Sequence, residues 1–150
     1  MKSKNLAGNV LIAVLLVASI QCGINNPAPA PGTIVGSGTV EVNDLSSKNY
    51  YFKKGGESYG YVTFSYQKGN NWEKLTVSSP YGIKQGSGNT APATGYTLSE
   101  EDVILGNSYF FRPDSLHYGK IDINNQKFNS TATIGFVWII QTENDNRELY

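Results

Sequence analysis

His117 is the only histidine in the chain, and so the only side chain whose ordinary pKa suits a general base near neutral pH. Ser115 lies two residues before it, and in an extended segment the two side chains point the same way. Neither a Gly-x-Ser-x-Gly elbow nor an oxyanion motif accompanies them, so His117 reads as a rim histidine at the start of a strand. Carboxylate chemistry of the glycosidase kind needs two acids set several ångströms apart across a cleft. Glu100-Glu101-Asp102 is a run better explained by a helix start, and Asp114 and Asp122 have no evident acidic partner. Asp122-Ile123-Asn124-Asn125 and Glu143-Asn144-Asp145-Asn146 offer hard oxygen ligands, but neither keeps the EF-hand spacing or its glycine. Turns favour Asn and Asp for local backbone hydrogen bonding, which accounts for both stretches. With no Cys/His set for zinc, the expectation is a non-enzymatic chain with neither cofactor nor metal.

The aromatic content points elsewhere. Ten tyrosines are too many for the deep core of one small domain. A tyrosine face with a hydroxyl at its end suits interfaces and stacking on sugar rings, while cross-strand tyrosine pairs also stabilise exposed sheet faces. Tyr59 and Tyr61 are the candidate binding surface, since alternation places them opposite the Val62 and Phe64 face.

Cys22, the only cysteine, follows Val17-Ala18-Ser19-Ile20-Gln21. Ahead of it, Lys2 and Lys4 form a positive start and Val10 to Ile20 an uncharged apolar run. That run is about ten residues long, against roughly twenty for a helix that spans hydrocarbon, and reads as a signal-peptide segment. The stretch resembles the lipobox of bacterial lipoproteins, and its polar Ser19 and Gln21 resemble the relaxed boxes of spirochaete members. More usual boxes carry Leu and Gly or Ala at those places. The resemblance covers the first twenty-two residues. It implies cleavage after residue 21, lipid on Cys22 and residence in the bacterial cell envelope, at the outer membrane, with the membrane itself as a partner. General signal peptidase cutting after Ser19, leaving a free thiol, and an uncleaved anchor are the competing readings.

Residues 22–33 then form the anchor and a proline-rich tether. Pro27, Pro29 and Pro31 exclude helix and sheet interior. At ~3.1 Å per residue an extended spacer of this length reaches roughly 30 Å. Loss of Lys2 and Lys4 with the signal leaves a charge-balanced chain slightly acidic, and without a basic cluster nucleic acid is not an expected partner.

Residues 34–150 read as a single β-rich domain. Thr33 to Val42, Tyr50 to Phe52, Ser58 to Gln67, Trp72 to Ser78, Leu116 to Ile123 and Lys127 to Thr142 carry strand patterning. Lys68-Gly69-Asn70-Asn71 predicts a hairpin turn, and Asn124-Asn125-Gln126 a second. Thr97-Leu98-Ser99-Glu100 has the form of a capping box and Gly106 that of a helix end, which predicts one short helix docked on the sheet. The last strand presents Ile134, Phe136, Trp138 and Ile140 on one face and Val137 and Ile139 on the other, as for a central strand covered on both sides. The pattern is mainly β, an antiparallel β-sandwich or small barrel with one short helix, and patterning alone does not choose between the two. The function expected is a binding or interaction module acting on an unknown protein or glycan. The alternatives are a structural or assembly factor of the envelope and a carbohydrate-binding module using exposed tyrosines.

Overall fold

A computed structural model describes residues 28–150; the signal segment, Cys22 and the tether as far as Pro27 lie outside the described residues. These residues form nine strands: β1 (Thr33–Asn43), β2 (Ser46–Lys54), β3 (Glu57–Lys68), β4 (Glu73–Ser78), β5 (Ile83–Gln85), β6 (Glu101–Asp102), β7 (Ser108–Phe111), β8 (Gly119–Phe128) and β9 (Thr131–Gln141). One sheet has the order β1-β9-β8-β7-β5 and the other β2-β3-β4-β6, with every pairing antiparallel. Neither sheet closes on itself, so the domain is a β-sandwich and not a barrel.

Two-residue alternation dictates which side chains fill the space between the sheets. From β3 come Val62, Phe64 and Tyr66, and from β9 Ile134, Phe136, Trp138 and Ile140, all buried. Phe52 of β2 stacks on Phe111 of β7 at 4.7 Å between ring centres and meets Trp138 edge-on at 5.3 Å. Tyr50 meets Phe136 edge-on at 4.9 Å, so one set of aromatic contacts joins the sheets. β1 makes room for these rings. Gly36 lies directly across from Trp138, where an added Cβ would overlap the indole, and a Cβ on Gly38 would run into the Tyr50 ring. The indole covers the glycine that a side chain would otherwise shield. Trp138 Nε1 donates to Tyr50 Oη at 3.2 Å, and Tyr50 Oη donates to Ser37 O at 3.1 Å, so the indole N–H and the phenol are both satisfied.

The expected helix is absent. Residues 97–106 run instead as a bridge at Thr97, the short strand β6 and a turn. Two turns of helix are marginal alone, and the exposed edge of β4 competes for the same backbone. Thr76 pairs with Asp102, Val77 with Glu101, and Val103 N donates to Leu75 O at 2.8 Å. Thr97 Oγ1 does accept from Ser99 N, but this bond closes a local turn and starts no helix. Gly106, at φ +84°, serves the Ile104–Asn107 turn.

The second predicted turn is also displaced. Asn124, Asn125 and Gln126 lie inside β8, where an extra residue makes a bulge between Ile123 and Asn125, and the chain reverses at Asn129–Ser130. Gly135 faces that bulge, with the Asn125 Cβ 3.0 Å from where its own would stand. The strand expected from Leu116 begins only at Gly119.

β9 is an interior strand, flanked by β1 and β8. Its outer face is covered at one end only. Ile139 packs in a second apolar cluster with Ala91, Phe110, Tyr118 and Leu149, while Val137 is exposed. That cluster is roofed by the segment after β5 and by the C-terminal tail, which are laced together by Ala91 N to Arg147 O and Leu149 N to Asn89 O bonds.

Candidate functional site

The strand directions sort the connections into two ends. At the end where the tether enters, β1 begins at Thr33 opposite Gln141, near the end of β9. Gln141 is fully buried. Its Nε2 donates to Glu148 O at 2.7 Å and Pro31 O at 3.1 Å, and its Oε1 accepts from Glu143 N at 3.1 Å. Thr142 N and Oγ1 both donate to Gly32 O, and Ala30 N donates to Leu149 O. The last residues of the proline-rich stretch are thus stitched to the C-terminal tail.

His117 is at this same end, oriented by Asp114. The His117 ring Nδ1 donates to Asp114 Oδ2 at 2.6 Å, while Asp114 Oδ1 accepts the backbone N–H groups of Leu116 and His117, each at 2.8 Å. Burial works to raise the Asp114 carboxyl, but these three donors outweigh it and hold the carboxyl below its ordinary range. Arg112 Nη2 donates to Ser115 O. The Asp–His pair therefore closes a surface loop. The Ser115 hydroxyl has no hydrogen bond to the imidazole among the described residues.

The other polar candidates are likewise engaged in structure. Glu100 Oε2 accepts from the buried Thr76 hydroxyl at 2.9 Å, and Glu101 and Asp102 form β6. Lys120 Nζ lies 3.4 Å from Asp122, donates to Gly88 O and sits 4.7 Å from the centre of the Tyr150 ring. Asn146 donates to Glu143 and accepts from Glu148 N, which makes 143–148 a self-bonded turn. Among the described residues no three His, Cys, Asp or Glu side chains converge as metal ligands would.

Tyr59 and Tyr61 are separated by a bulge in the β2–β3 ladder. Tyr51 pairs with Tyr61 and Lys53 with Ser58, leaving both Tyr59 and Gly60 across from Phe52. Gly60 takes φ +85°, a conformation open to glycine, and alternation breaks there. Tyr61 stays on the outer face with its ring 5.3 Å from Tyr51, whereas Tyr59 packs against the main core. Its hydroxyl donates to Glu57 at 2.6 Å, and that bond to a carboxylate raises its pKa. The two tyrosines do not form one surface.

The opposite end of the sandwich is built from three reversals: Asp44–Leu45 between β1 and β2, residues 69–72 between β3 and β4, and Asn129–Ser130 between β8 and β9. Lys68 joins all three. Its backbone N donates to Asp44 Oδ1 at 2.7 Å, its Nζ donates to Asn129 O at 3.2 Å, and it pairs with Glu73 at 3.2 Å. Beneath them Tyr66 stacks on Phe128 and donates its hydroxyl to Glu73. Leu45 is 79% exposed and Trp72 54%. The Trp72 indole lies over Gly69, where an added Cβ would overlap it, and Gly69 N donates to Trp72 O at 2.9 Å. An open hollow of about 410 Å³ is lined by Lys68, Gly69, Asn70, Asn71, Trp72 and Glu73.

Sequence reasoning reached this hairpin but took Trp72 for the first residue of a strand. The available signal was a large aromatic directly after a Gly-Asn-Asn turn, outside the period-two pattern that places Leu75 and Val77 inward. The hairpin end is the candidate functional site: an exposed platform from both sheets that the described residues leave uncovered. Compared with protein families, curated proteins and solved structures, the chain matches none.

Proposed function

We propose that this chain is a lipoprotein of the bacterial cell envelope, anchored at the outer membrane through lipid on Cys22, whose β-sandwich is a non-enzymatic binding module. The observation that carries the reading is polarity. The tether joins one end of the domain, and the exposed indole, lying over Gly69, stands at the opposite one. β1 runs the full distance between them, eleven residues or roughly 35 Å at strand rise. Ala30 is held by Leu149, and the eight residues from Cys22 to Pro29 would reach about 25 Å if extended as polyproline. An anchored chain would then point its hairpin end away from the lipid. The polar groups that chemistry would need, Asp114 with His117 and Asp122 with Lys120, are committed to loop closure and pairing, which favours binding over catalysis.

The test is Cys22→Ser in the native cell. Loss of fatty-acid labelling and of detergent-phase partitioning is the expected result. Labelling that persists in the variant, or an unlipidated mature mass beginning at Ile20, would refute the anchor.

A further inference from the structure

We infer that the hollow at the hairpin end is a binding site for a neutral saccharide, with the Trp72 indole as its stacking platform. This rests on the reading of that end as the working face and names the class of molecule it meets.

Four observations converge. First, the indole is exposed yet held in place. The Gly69–Trp72 backbone bond closes the loop, and the absent Cβ of Gly69 lets the ring lie on the backbone. A platform ordered before binding loses little freedom when a ligand arrives. Second, an indole face matches the C–H face of a pyranose, which is apolar across the ring and polar around its edge. Third, the rim supplies matching groups. Asn70 and Asn71 line the hollow beside Trp72, and an amide both donates and accepts, as a hydroxyl requires. Fourth, the charges cancel: Lys68 and Glu73, the only ionisable residues in the lining, stand 3.2 Å apart as a pair. An anionic ligand such as a nucleic acid or phosphate would call for surplus cations.

Insertion into a lipid surface is the rival use of an exposed Trp and Leu on turns. Placing Asn70 and Asn71 beside the indole opposes it, since their amides would lose water with nothing to replace it. The paired tyrosines Tyr51 and Tyr61 lie on the outer face of the second sheet, not in this hollow, and serve as an internal control.

Of the two tryptophans Trp138 is buried in the core and Trp72 exposed, so the part of the emission that responds to a surface ligand or to acrylamide is that of Trp72. The experiment titrates the mature protein in detergent micelles with cellotetraose, chitotetraose and maltotetraose at millimolar concentration. The expected result is a saturable change in emission, with reduced acrylamide quenching, for at least one of the three. For the variants binding is read by isothermal titration calorimetry, because replacing Trp72 removes the fluorophore: Trp72→Phe should weaken it by about tenfold, Trp72→Ala should abolish it, and Tyr61→Ala should leave it unchanged. Three outcomes would overturn the proposal: no response to any of the sugars, calorimetric binding that survives Trp72→Ala, or quenching of Trp72 by brominated lipid in mixed micelles without a sugar response. Anchoring is read separately through Cys22 labelling, so a failed titration with labelling intact removes the saccharide alone.

Discussion

The two ends of this sandwich solve opposite problems. At the tether end the chain covers itself: the C-terminal tail roofs Ile139 and Phe110, and buried Gln141 ties Pro31, Glu143 and Glu148 together. At the hairpin end polar contacts hold three turns side by side, but none of the described residues is laid over Leu45 or Trp72. Apolar side chains are left in water at the end whose removal from water would have to come from another molecule. The tether end is not bare of such groups, since Tyr81 and Leu116 are partly exposed, but it is ordered chiefly by burial, whereas the hairpin end is ordered by surface hydrogen bonds.

Substitutions should reveal that asymmetry in urea denaturation. The largest effect is expected for Leu149→Ala, which empties a fully buried position near the end of the tail and should cost about 2–5 kcal/mol. Gln141→Leu should follow at roughly 1–3 kcal/mol, because it strands the carbonyls of Pro31 and Glu148 without a donor. Asp114→Asn should act less strongly, and its effect should vary with pH. The Asp114 carboxyl is held below its ordinary value, so its stabilisation is present above the ordinary carboxylate range and is lost as pH falls through the lowered folded value. The variant should therefore show a flatter acid limb than the parent. Trp72→Ala and Leu45→Ala should change stability by no more than about 0.5 kcal/mol, being exposed. A loss of several kcal/mol at Trp72 would erase the contrast and make the hairpin end structural.

What was legible in the sequence depended on how local the deciding interaction was. The inward faces of β3 and β9 could be read because alternation is a property of one segment, and Val62, Phe64, Tyr66, Ile134, Phe136, Trp138 and Ile140 are all buried as that alternation implies. The Thr97–Gly106 helix failed because the competitor was the free edge of β4, some twenty residues earlier in the chain. The turn expected at Asn124 failed for a related reason: a bulge stabilised across from Gly135 absorbs the turn-forming residues inside a strand. Tyr59 and Tyr61 were paired on the assumption of unbroken alternation, which Gly60 interrupts. The platform at Trp72 is legible only in part: the turn and the aromatic after it are local, but Asp44 and Asn129, which hold Lys68 in place, come from two other hairpins.

The pairing of β1 with β9 has a mechanical consequence. The two strands run antiparallel through eleven consecutive residue pairs, with the chain entering β1 beside the end of β9. A force between a fixed membrane and a captured object at the hairpin end would pull β1 along its own axis. The whole ladder of hydrogen bonds would then be strained together in shear, instead of parting one rung at a time from an end. A clamp loaded in that direction resists rupture better than the same bonds peeled apart, which, on the proposed anchoring and binding, would suit the domain to holding a ligand under tension.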